Sequence, residues 1–167
     1  NMRVEVSGLN DFNLSTTVGN IEYYARYSSH FNVMKRNAKR AWDKQLNKIY
    51  IPSGKEDNLI KFYSALYHVC IHPSLASDVD LRYRGRDQQI HSAKHEVYSV
   101  FSLWDTYRAL HPLLNIIEEN RTANFINSFL LQYVEGGRLP VWELGSCETD
   151  CMIGYHSVSV ISDAILQ

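Results

Sequence analysis

No apolar run in the 167 residues approaches the roughly 20 that a membrane-crossing helix needs, and no leader-like segment opens the chain. Membrane insertion is therefore not expected. An excess of one charge is missing too. Lys and Arg number 17 against 18 Asp and Glu, and the net charge of −1 gives no reason to expect nucleic acid or an anionic surface as partner. Cysteine is scarce. Cys70, Cys147 and Cys151 cannot build a disulfide framework, and no second Cys/His pair stands at zinc-finger spacing. Cys147 and Cys151 are four positions apart, and on a helix such pairs rarely meet disulfide geometry, so small buried hydrophobes is their expected role. Also absent are βαβ alternation, a glycine-rich phosphate loop and a G-x-S-x-G elbow.

What the chain has in excess is aromatic residues: 11 Tyr, 6 Phe and 3 Trp suit a core, and also surfaces that stack on sugars. The length fits one domain or a piece of a larger one.

Residues 2–6 alternate as a strand does, and 18–27 read as a second, aromatic-rich strand. Two strands cannot bury a face alone, so they are expected to trail from a sheet upstream. From Phe31 the period turns helical through Val33, Met34, Ala38, Ala41, Trp42 and Leu46, with a basic outer face that reads as solvated surface. Pro52-Ser53-Gly54 breaks it, and a second helix is expected from about Asp57 to Ile71. The polar stretch 74–95 suggests a hairpin turning at Arg84-Gly85-Arg86-Asp87; Asp78 and Asp80 within it read as solvated rather than as a cation site. Further helices are predicted over about Val97–Leu110, about Glu118–Val134 (ended by Gly136-Gly137) and from about Glu148 onward. The fold class is mainly α, antiparallel helix hairpins behind a β remnant.

Chemistry concentrates where carboxylates adjoin tryptophans. Trp104-Asp105 and Trp142-Glu143, with Glu148 and Asp150, offer indole platforms for a sugar ring beside acceptors for its hydroxyls. A glycosidase needs one carboxyl to protonate the leaving oxygen and a second to activate water. Residues alone leave Glu143, Glu148 and Asp150 as equal candidates. Asp105 lies in a hydrophobic segment, so it should be paired, with Arg108 the nearest cation in sequence, or line a cavity. Glu148 falls where a helix is expected to start, and the helix dipole there favours its ionised form. The histidine pair His68 and His72 is spaced for a helix face but lacks a glutamate between, so metal ligation by it is weakly supported, as is cysteine or serine hydrolysis.

Four segments carry a family resemblance: FYSALYHVCIHP (62–73), VFSLWDTYRALHPLL (100–114), INSFLLQY (126–133) and GGRLPVWELGSCETDCMIGYHSVSVISDA (136–164). In order and spacing, from about Tyr24 onward, they resemble the catalytic domain of family 92 glycoside hydrolases, calcium-dependent exo-acting α-mannosidases that invert configuration. The resemblance implies part of an (α/α)6 toroid over 29–167, with 1–28 the trailing strands and linker of an upstream β-sandwich. Glu148, in the Glu-Thr-x-x-Met-x-Gly-x-His pattern, matches the general acid. Trp104 and Asp105 match residues that hold mannose in the −1 subsite, and Trp142 and Glu143 lie in the family's W-E-L segment, which shapes the pocket. Cys147 stands where the family often has Asn. His156 ends the motif, to orient a neighbour or to pack on a helix.

Family members are several times longer. By the resemblance, the general base and the Ca2+ ligands fall downstream of Gln167, in the remainder of the same polypeptide, and the chain alone is expected to be inactive. Implied too are an α-mannoside or oligomannose glycan as substrate and a secreted, periplasmic or cell-surface location. The rival expectations are an inert or weakly sugar-binding helical piece, and an inverting (α/α)6 hydrolase of another sugar.

Overall fold

The computed structural model describes residues 31–166. The strands expected over 2–6 and 18–27, and the expected domain boundary at 28–29, lie outside the described residues. Helix α1 (Phe31–Leu46) has no buried residue, carries an i,i+4 ion pair between Lys39 and Asp43 at 2.6 Å, and belongs to one compact unit. Everything from Lys48 onward forms a second unit.

That second unit begins with α2 (Glu56–Val69), whose first turn carries Glu56 and Asp57, the charge sign that a helix N-terminus favours. Five short strands follow: β1 (Ser74–Leu75), β2 (Arg82–Arg84), β3 (Ile90–Ser92), β4 (Tyr98–Ser99) and β5 (Phe101–Ser102). The expected hairpin is β2–β3, with Tyr83 opposite His91. It is tied to the helical layer by the Tyr83 hydroxyl, which donates to Glu135 at 2.5 Å, and by the Arg86 amide, which donates to the same carboxylate at 3.0 Å. Asp80, read above as solvated rather than as a cation ligand, is exposed and paired with Arg82.

The helix expected over Val97–Leu110 is a correction. Only α3 (Leu103–Thr106) is helical within Leu103–Ala109, before α4 (Leu110–Ile117) begins. Upstream, Tyr98 and Ser99 pair with β1, Phe101 and Ser102 pair with a later strand, and Val100 between them takes a φ of +69°. The run Val97-Tyr-Ser-Val-Phe-Ser102 is rich in β-branched and aromatic residues that pack well in strands, and tertiary pairing overrides its helical spacing.

Helix α5 (Glu119–Gly136) matches expectation, ending on Gly137 at φ +79° with its amide donating to Tyr133 at 2.8 Å. After it come β6 (Trp142–Leu144), β7 (Cys147–Glu148) and α6 (Ser157–Leu166). The core lies where β4 and β5 meet α4, α5 and α6: Tyr98, Phe101, Leu103, Leu114, Phe125, Phe129 and Val160. Phe101 meets Phe129 edge-on at 4.7 Å, and Tyr98 meets Phe125 edge-on at 4.8 Å.

His111 sits in this aromatic layer, 1% exposed, edge-on to Phe125, with neither ring nitrogen hydrogen-bonded. Burial pushes its pKa down from 6.5 to about 4. A depressed folded-state pKa means that the stability held by neutral His111 is full above pH 6.5 and is lost as the pH falls towards 4. The gap between 6.5 and about 4, at about 1.4 kcal/mol per unit, is on the order of 3 kcal/mol. Urea unfolding at pH 7 and pH 4.5 should show this loss in the wild type and a much smaller one in His111→Phe; parallel losses would refute it.

Candidate active site

Strands β5, β6 and β7 form one antiparallel sheet in that order. Ser102 lies opposite Trp142, Phe101 opposite Glu143, and Glu143 opposite Glu148. The β6–β7 turn has two central residues, Gly145 and Ser146, both at positive φ (56° and 68°), the hairpin turn whose twist suits antiparallel strands. This hairpin carries the Trp-Glu-Leu segment on one arm and the Cys-Glu pair on the other.

Glu148 is thus a strand residue. The helix expected to start there begins at Ser157, so no helix N-terminus acts on the carboxylate. Its oxygens instead accept backbone N–H groups: Oε2 from Val141 at 2.8 Å, Oε1 from Trp142 at 2.9 Å and from Asp150 at 3.2 Å. A carboxylate oxygen has two lone pairs, so Oε2, with one donor, retains one that can carry a proton. The missed boundary has a visible reason. Residues 149–156 hold Asp150 at φ +54°, Met152 at +73° and Gly154 at +88°, which no helix contains. A Cβ on Gly154 would fall 2.4 Å from Nε2 of His156, so the glycine of the motif is what lets His156 approach. His156 in turn stacks on Tyr107 with centroids 3.9 Å apart. Arg138 pairs with Asp150, and the Leu139 amide donates to the Tyr155 hydroxyl at 2.9 Å, holding this loop against the end of α5.

Beside the sheet is a cleft of about 450 Å3. Asp105 and Trp142 both line it, with Ser102, Phe101, His68 from the last turn of α2 and His72 from the turn that follows it. Apolar walls with a few convergent polar groups are what a small-molecule site requires. Asp105 accepts a hydrogen bond from the Ser102 hydroxyl and is exposed to the cleft rather than paired with Arg108, whose guanidinium lies 4.9 Å from the Trp104 ring centroid. Trp104 is half-buried and does not line the cleft. Glu148 does not line the cleft; it holds the amide of Trp142, which does. The histidines were weighed in the sequence only as metal ligands on one helix face; the helix ends at Val69, and the turn after it brings His72 to the same cleft as His68.

Glu143 occupies a different place. It is 1% exposed, off the cleft, and lines a small enclosed cavity of about 20 Å3 with Arg84, Gln132 and Glu135. Burial raises its pKa; hydrogen bonds from the Ser146 amide, the Ser99 hydroxyl and the Val100 amide oppose that rise.

Residues 19–167 match the family described as the glycosyl hydrolase family 92 catalytic domain. The chain belongs to glycoside hydrolase family 92. Among solved structures, it is similar to the family 92 α-mannosidase BT3965 of Bacteroides thetaiotaomicron, at 39% identity and a TM-score of 0.78, over 82% of this chain and 19% of that one. The same protein in complex with mannoimidazole matches equally well. The family 92 inverting mannosidase BT2199 of the same organism matches at 28% identity and a TM-score of 0.76, over 81% of this chain and 19% of that one. No curated protein matches. The chain therefore spans about a fifth of the length of these relatives, and its helices form part of the (α/α)6 domain expected of a family 92 member.

Cys147 and Cys151, expected as small buried hydrophobes, are exposed instead, in the hairpin and loop that stand where a helix was expected; only Cys70 is buried. Among the described residues no group of three or more His, Cys, Asp or Glu could hold a metal ion, so these residues do not fit a calcium site. No described helix is long and apolar enough to cross a membrane.

Proposed function

We propose that the chain is the part of an exo-acting α-mannosidase that supplies the proton donor, Glu148, and the sugar-holding groups Asp105 and Trp142. The observation that carries this reading is the junction of β5, β6 and β7. It brings Asp105 and Trp142 onto one cleft and ties Glu148 to the backbone of Trp142. The mannoimidazole complex of a relative 39% identical to this chain supports a mannose-shaped ligand.

In an inverting glycosidase, Glu148 gives its proton to the glycosidic oxygen while a carboxylate across the sugar, roughly 6.5–9.5 Å away, deprotonates water. No residue described here is assigned as that base. Asp105 accepts hydrogen bonds from ring hydroxyls, and the Trp142 ring supplies an apolar wall. The base and the calcium ligands are assigned to the length of the relatives that this chain does not span. Removal of terminal mannose from mannose-rich glycans, outside the cytoplasm, completes the reading.

The test is release of mannose from an aryl α-mannoside, with added calcium and with chelator, by this chain and by the complete polypeptide. Calcium-dependent, inverting release by the complete polypeptide and none by the chain is expected. Release from an aryl α-glucoside but not from the mannoside would favour another sugar, and mannose binding without turnover in both would leave a binding piece.

A further inference from the structure

We propose that Glu143 is a positioning residue, the buried anchor that fixes the β6–β7 hairpin and so holds Glu148 against the backbone of Trp142. The proposal rests on the reading of Glu148 as the proton donor.

The anchor joins two segments far apart in sequence, 99–100 and 143–146. Oε1 of Glu143 accepts the Ser99 hydroxyl at 2.9 Å and the Ser146 amide at 2.7 Å, and Oε2 accepts the Val100 amide at 3.1 Å. Ser99 extends the network: its hydroxyl oxygen accepts the Gly145 amide at 2.9 Å. Both central residues of the hairpin turn are thereby bonded, one directly to Glu143 and the other through Ser99. The Ser146 hydroxyl also donates to the Arg84 carbonyl at 2.6 Å, which fastens the turn to β2.

The same carboxylate takes the amide of Val100, a β-branched residue at φ +69°. That conformation costs energy and persists only where surrounding bonds over-determine it. Val100 lines the cleft and directly precedes β5, whose Ser102 hydrogen-bonds Asp105. One buried carboxylate therefore sets both walls, the strand that leads to Asp105 and the hairpin that carries Glu148. No cation is paired with it among the described ion pairs, and it has no exposed surface with which to touch a sugar. Of the carboxylates in the Trp-Glu-Leu and Cys-Glu arms, one is placed for chemistry and its register partner for geometry.

Three variants of the complete polypeptide test this on an α-linked mannobiose, whose alcohol leaving group needs the proton that Glu148 supplies. Glu143→Ala should lower kcat by about 100-fold, as sub-ångström misplacement of a catalytic group does, with KM changed less than about threefold. Glu143→Gln retains an amide oxygen for Ser99 and Ser146 but sets its NH2 against the Val100 amide, so kcat should recover to within about tenfold of wild type. Val160→Ala, in the core away from the hairpin, should lower Tm comparably and leave kcat intact. If Glu143→Ala loses no more kcat than Val160→Ala, or if Gln restores nothing, the positioning role is overturned. Glu148→Gln in the same series separates the two claims. An active wild type silenced by Glu148→Gln but indifferent to Glu143→Ala would leave the function standing and remove this inference. A wild type without mannosidase activity would remove the reading beneath it.

Discussion

Glu148→Gln in the complete polypeptide should lower kcat on a natural α-mannoside by about 10²–10⁴-fold, the usual contribution of a general acid. Glutamine keeps the volume and one of the acceptor oxygens that now bind the Val141, Trp142 and Asp150 amides, so the hairpin should stand. What it cannot do is deliver a proton. The loss should therefore depend on the leaving group, large for an alkyl or sugar alcohol and small for a strongly acidic phenol that departs unprotonated. KM should stay close to wild type. Near-wild-type turnover on the natural substrate, or an equal loss on both kinds of leaving group, would take the proton-donor role away from Glu148.

The second large effect is expected at Asp105. Its carboxylate lies on the cleft wall with the Ser102 hydroxyl as its hydrogen-bond donor. A hydrogen bond between a charged group and a sugar hydroxyl contributes about 1.5–3 kcal/mol, so Asp105→Ala should cost about 10- to 100-fold in kcat/KM. Asp105→Asn keeps a neutral acceptor and should lose less. Because a bond present in ground state and transition state alike changes KM, while one made only in the transition state changes kcat, the split between the two reports when Asp105 engages. Unchanged kcat/KM in the alanine variant would show that Asp105 does not touch the sugar.

Much of this architecture was legible before any coordinates. Helix α5 announced itself through Phe125, Ile126, Phe129 and Leu130 at helical spacing and through the glycine pair at its end, signals local to the element. The β2–β3 hairpin was likewise local. The two failures differ in cause. Segment 97–102 has apolar spacing that fits a helix, yet it is claimed by β1 and β6, distant in the chain, and such pairing leaves no trace in a local window. Segment 147–156 is claimed by a local hairpin, in which the Trp142 carbonyl accepts the Thr149 amide at 3.1 Å, and by the positive φ angles of Asp150, Met152 and Gly154.

The site followed the same division. The motif singled out Glu148, Asp105 and Trp142 as residues, but only the sheet brings Trp142 beside Ser102 and ties Glu148 to the strand that holds Trp142. Burial separated Glu143 from Glu148, two carboxylates that the sequence presented as near-equivalents. Only the fold shows that His68 on α2 and His72 in the turn after it meet at the cleft.

The two-residue turn at Gly145–Ser146 has a consequence of parity. Side chains along a strand alternate between the two faces of a sheet, so the count of residues in the turn between Leu144 and Cys147 decides which face receives the carboxylate. One residue more or fewer in that turn would preserve every side chain of the motif and still send Glu148 to the opposite side of β7. The chemistry therefore depends on an even count as well as on a glutamate.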